Sequence, residues 1–168
     1  MSQLFELVGV RAAFLWSLCL ATLPFVSSAY AEEAGTWRGL AVLVATSGKA
    51  VNVSDQENHS LFLQEYDGLV FNDNDGSFLD KARYQVVNLT DTGGMIDGGY
   101  KTFTVDDGSQ VFARYKLTNP APPVLKGEWE FIGGTGKYKG ITGRGNYTVQ
   151  IVSDTVLWDV LEGDYKLP

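Results

Sequence analysis

The chain has 168 residues and carries 20 aspartates and glutamates against 13 lysines and arginines, a formal net charge of −7. An acidic surface repels phosphate backbones, which argues against nucleic acid as a partner. One cysteine and one histidine in the whole chain leave zinc, copper and histidine-based acid–base machinery without ligands, so neither metal nor cofactor is expected.

At the N-terminus, Arg11 precedes an apolar run over 12–26, and Ser27-Ser28-Ala29-Tyr30-Ala31 places alanines where a signal peptidase reads small residues. The sequence predicts a signal peptide, 1–31, cleaved to release a domain, 32–168. The run, interrupted by Pro24, is shorter than the roughly 20 residues of a spanning helix, so no membrane span is expected after processing. The only cysteine, Cys19, would leave with the peptide. An exported domain without disulfides suits a periplasmic or secreted location in a bacterium.

From Trp37 onward, short alternating runs are broken by Gly, Asp, Asn and Pro, and no stretch repeats at helical period. Strands are predicted near 37–46, 61–71, 83–91, 100–106, 110–118, 128–132, 145–153 and 156–166. Between them, Asn72 to Gly76, Asp91 to Gly94, Asp106 to Gly108 and Asn119 to Pro123 supply residues that tolerate left-handed or fixed φ. Eight strands with tight turns and no long crossover point to an all-β fold, a single eight-stranded antiparallel up-and-down barrel.

Alternation suggests which faces are apolar. Val111, Ala113, Tyr115 and Leu117 share one face, as do Tyr147, Val149 and Ile151, and Trp129 with Phe131. On the last strand Val156, Trp158 and Val160 oppose Asp159, which reads as apolar inside and aspartate outside. Arg114 and Glu130 fall on polar faces and read as a surface cross-strand pair. In a barrel this small, such stripes either fill the interior or line a ligand cavity.

The stretch Gly133 to Gly145 holds six glycines: Gly133, Gly134, Gly136, Gly140, Gly143 and Gly145. As a phosphate loop it fails, because Gly136-Lys137 is followed by Tyr138 and no helix follows to present its N-terminus. The glycines read as a corner followed by a strand that coils sharply or approaches a neighbour closely. Together with Trp129 to Ile132 and Tyr147, the run Gly133-Gly134-Thr135-Gly136-Lys137-Tyr138 resembles the signature of the allene oxide cyclase-like barrel superfamily, which includes dirigent proteins and exported bacterial members. The resemblance implies an eight-stranded barrel with a largely apolar lumen, often a homo-oligomer. It also implies ligands such as oxidised lipids, phenoxy radicals or polyketides, whose ring closure or coupling the barrel steers. The signature is structural, so it transfers no catalytic residue.

Among residues able to do chemistry, Glu65 is in phase with Leu61 and Leu63, and would act as an acid or base if those point inward. Asn88, in phase with Tyr84 and Val86, could donate to a ligand oxygen. Tyr84, Tyr115, Tyr147 and Trp129 are candidate lumen-lining rings. Three functions follow: a barrel binding a small hydrophobic molecule, a cofactor-free cyclase or isomerase, and a filled barrel that serves structure or protein interaction.

Overall fold

The computed structural model describes residues 33–94 and 97–168, so the expected signal peptide lies outside the described residues. The eight strands are β1 (Glu33–Asn52), β2 (Ser60–Asn72), β3 (Ala82–Asp91), β4 (Asp97–Thr104), β5 (Gln110–Ala121), β6 (Val124–Gly134), β7 (Thr142–Ile151) and β8 (Val156–Leu167). They close into a barrel in sequence order, every neighbouring pair antiparallel, with β1 bonded to both β2 and β8. Closure removes the exposed edges that would otherwise template association. Each predicted strand is present, and most run further than the turn signals suggested. β5 passes through Asn119 and Pro120, which pair with Lys126 and Leu125 after a bulge at Leu117/Asn119, and the chain reverses at Pro122-Pro123 instead. A bulge restarts the ladder out of step, so the turn residues end up inside a longer hairpin.

The inward phase is set by ring packing against glycine. On β7 a Cβ at Gly145 would stand 1.9 Å from the Glu162 carbonyl oxygen, and on β8 one at Gly163 would stand 2.7 Å from Trp129 Cζ2. Trp129 therefore seats against the bare backbone of Gly163, and its register partner on β7 is the equally crowded Gly145. Leu157, Asp159 and Leu161 face in, whereas Trp158 is 49% exposed. The expected face assignment of β8 is thus inverted. The outward Val156, Trp158 and Val160 lie beside Val44, Val42 and Leu40, and across β1, Val42 and Leu40 pair with Leu69 and Phe71. This apolar patch on the outside of β8, β1 and β2 gives the sequence of β8 its misleading alternation.

Aromatic rings fill one end of the barrel. The connection 73–81 folds Phe78 and Leu79 inward, where Phe78 stacks on Tyr165 at 3.8 Å between centroids. Trp37 stands edge-on to Phe78, Phe103 and Trp129 at 5.6–5.8 Å, geometry that adds to simple area burial. The glycine-rich corner completes the plug. Gly136 has φ 56° and opens a short 3-10 turn, Gly136–Tyr138, that buries the Tyr138 ring against Phe78. Beyond it on β7, a Cβ at Gly143 or Gly145 would stand 2.4 Å or 1.9 Å from the Asp164 or Glu162 carbonyl oxygen.

Candidate functional site

The other half of the barrel is hollow. A cavity of about 420 Å³ opens at the end that carries the β1–β2, β3–β4, β5–β6 and β7–β8 turns. Its walls are Leu43, Val86, Leu117, Leu125, Val149 and Leu157, with Tyr66, Asn88, Tyr115 and Tyr147 among them. The volume falls within the range of small-molecule sites.

Lys101 and Asp159 form its floor. Lys101 is on β4 in phase with Phe103, and Asp159 is on β8 in phase with Leu161, so alternation turns both inward. Lys101 Nζ lies 2.7 Å from Asp159 Oδ2, with the side chains only 2% and 1% exposed. The Tyr84 hydroxyl donates to the same oxygen at 2.6 Å and accepts from Lys101 Nζ. Below, the Tyr84 ring stacks on Phe103 at 4.7 Å, which ties the ionic floor to the aromatic plug. The ammonium is also ringed by Tyr84, Tyr115 and Tyr147, whose centroids lie 4.5–5.2 Å away. One atom lacks its share: Asp159 Oδ1 is buried and has no hydrogen-bond partner among the described residues. A bare carboxylate oxygen in so dry a place is costly, and a donor that reached it would recover that cost.

Burial sets the protonation states. It pushes the Lys101 ammonium below its ordinary range, an effect that Asp159 partly opposes. It also pushes the Tyr84, Tyr115 and Tyr147 hydroxyls far above theirs, so all three stay neutral donors. On the wall, Tyr115 donates to Asn88 Oδ1 at 2.7 Å, and Asn88 Nδ2 donates to Thr90 Oγ1 at 3.0 Å.

Asn88, Tyr84, Tyr115 and Tyr147 therefore come together at or beneath the cavity. Trp129 faces inward but belongs to the plug, with its ring 4.6 Å from Phe131 and its Nε1 donating to the Asn146 carbonyl at 3.0 Å. Glu65 is on the outside. It is in phase with Leu61 and Leu63 as expected, but that phase meets solvent, as the exposed Leu63 and Leu69 show, and Ser47 Oγ donates to Glu65 Oε2 at 2.7 Å. On β2 the half-buried Tyr66 and fully buried Val70 take the inner phase, which puts Glu65 out of the lumen. Lys101 and Asp159 were missed. The available signal was the phase of Lys101 with Phe103, hidden because Tyr100 and Phe103 surround it on both phases.

A larger concavity, about 730 Å³, lies outside over β5 to β8. Four of its charges pair across strands at the surface, Arg114 with Glu130 and Lys116 with Glu128, as expected for the first pair. Exposed pairs of that kind contribute little. Among the described residues no three histidine, cysteine or acidic side chains gather as a metal site.

No family model matches the chain, and no curated protein does. Among solved structures it is similar to two pterocarpan synthase dirigent proteins. With PsPTS1 the TM-score is 0.48 at 12% identity, covering 80% of this chain and 95% of the other. With GePTS1 the TM-score is 0.45 at 12% identity, covering 79% and 85%.

Proposed function

We propose that the lumen holds a small, largely apolar, uncharged molecule whose polar end reaches the Lys101–Asp159 floor. The orphaned Asp159 Oδ1 at the base of an apolar cavity carries this reading. The floor ion pair is already neutral as a unit, so a neutral hydrogen-bond donor satisfies the free oxygen without adding a charge beside it, and Asp97 and Asp154 on the same lining disfavour an anion. The apolar walls then select by shape.

A second reading, a cofactor-free cyclase or isomerase, is favoured by the contiguous Lys101–Asp159–Tyr84 hydrogen bonds, which offer a route for a proton at the end of a confined substrate. Under either reading the protein acts outside the cytoplasm, supported by the apolar run and the Ala29 and Ala31 spacing. The apolar patch over β8, β1 and β2 supports self-association as a homo-oligomer.

The test is organic extraction of protein purified from its native host, followed by mass spectrometry. A stoichiometric neutral compound that is missing from a Val149→Trp variant, whose lumen is filled, is the expected result. Recovery of nothing from the wild type, or of the same compound from both, would count against lumen binding.

A further inference from the structure

We infer that Lys101 is a carbonyl-capturing amine: the lumen takes an aldehyde or ketone and holds it as a Schiff base on Nζ, with Asp159 moving the protons. The inference rests on the lumen-binding reading and names the ligand's reacting group.

The geometry supplies each part that such a step needs. Lys101 and Asp159 both line the cavity, so the carbonyl end of a ligand that fills it would lie against this pair. The flanking carboxylate oxygen, Oδ2, is 2.7 Å from Nζ and can take the proton that must leave the ammonium before it attacks. Nitrogen then bonds to the carbonyl carbon, the C=O electron pair moves to oxygen, and Asp159 gives its proton to that oxygen and takes one from the nitrogen, giving a neutral carbinolamine beside the Asp159 carboxylic acid. Its new hydroxyl is the donor that Asp159 Oδ1 lacks in the resting protein. Protonation of that hydroxyl by the Asp159 carboxylic acid lets it leave as water, and the nitrogen lone pair closes the C=N bond. What remains is a protonated imine beside an ionised Asp159, so charge is the same before and after and no oxidant or reductant is consumed.

Two further features favour this outcome over a plain structural ion pair. The Tyr84, Tyr115 and Tyr147 rings that face the ammonium would stabilise an iminium in the same place. Burial also lowers the proton affinity of Lys101, which raises its share of free amine relative to the exposed lysines.

The experiment uses the whole mature protein with naphthaldehyde and sodium cyanoborohydride, which reduces any imine to a stable amine, and maps labelled lysines by peptide mass spectrometry. Lys101 is expected to label about a hundredfold faster than exposed Lys81 or Lys116, the lower end of what a positioned acid–base group provides. Naphthylmethanol, which fits the lumen but forms no imine, should suppress labelling at Lys101 and leave the surface lysines unchanged. Asp159→Asn should slow Lys101 selectively, but the decision rests on the wild-type protein, so a poorly folded variant does not obscure it. If naphthylmethanol binds, read by quenching of intrinsic fluorescence, and Lys101 labels no faster than the surface lysines, carbonyl capture is wrong and lumen binding stands. If neither compound engages the lumen, both are wrong.

Discussion

The two halves of the barrel solve opposite problems with the same alternating strands. In the plugged half, inward positions carry rings, and the space they need comes from glycines on neighbouring strands, as where Trp129 lies against Gly163 and Phe131 against Gly143. In the open half the inward positions carry shorter aliphatic side chains and hydroxylated rings, so the same radius leaves a cavity of about 420 Å³. An ion pair that would be a liability in a filled core sits at the boundary between the two, lining the inner end of the cavity. On the proposed function the plug supplies rigidity and the open half supplies recognition, and the substitutions below should separate the two.

Trp37→Ala removes the centre of the plug and should cost up to about 5 kcal/mol in chemical denaturation. Whatever fraction remains folded should still bind a lumen probe. Asp159→Asn is expected to cost about 3 kcal/mol, the low end for removing one partner of a buried pair because the amide oxygen still accepts from Lys101. Unlike the plug substitution, it should also weaken ligand binding. Replacing both partners, Lys101→Met with Asp159→Leu, should restore most of the lost stability without restoring binding; equal loss in single and double variants would mean the pair is not acting as a unit. Gly145→Ala forces a methyl against the Glu162 carbonyl and should cost about 1–3 kcal/mol by the same denaturation measurement. Tyr115→Phe strips the donor from Asn88 Oδ1 and should cost about 1 kcal/mol.

The smallest effect should come from the rim. His59, in the connection between β1 and β2, lies 2.5 Å from Asp55 and 2.7 Å from Asp91, joining that connection to the end of β3. The hydrogen bond to Asp55, and next that to Asp91, raise the His59 pKa above its ordinary value. A raised folded-state pKa means that the clasp's contribution is fully present below about pH 6.5 and is lost as pH rises through the raised value. Hydrogen exchange at the rim should therefore speed up over that interval in the wild type and show no such step in His59→Gln.

The barrel was legible because its evidence is distributed. Eight alternating runs and their turn residues all had to agree, and small errors at Asn119 or Asn72 changed strand ends without changing strand count. The site was only half legible, since orientation within one strand depends on a single phase choice. Where both phases are apolar, as on β8 with Trp158 outside and Leu161 inside, alternation has no preference, and Asp159 was placed on the wrong face. Glu65 failed for a related reason: its neighbours Leu63 and Leu69 are hydrophobic yet face solvent. Asn88 was legible through its phase with Tyr84 and Val86, both of which are buried. What decides the ambiguous strands is the seating of rings on glycine across neighbouring strands, a relation between distant residues that no single run displays.

The central claim is that the open half is a ligand site and the plugged half is not. Titration with the neutral fluorophore N-phenyl-naphthylamine, an apolar molecule with one N–H donor, tests it most directly. The wild type should show saturable one-to-one enhancement, weakened about tenfold or more in Val149→Trp, a loss of at least about 1.4 kcal/mol. Equal binding by both proteins, or no saturable binding by the wild type, would contradict it.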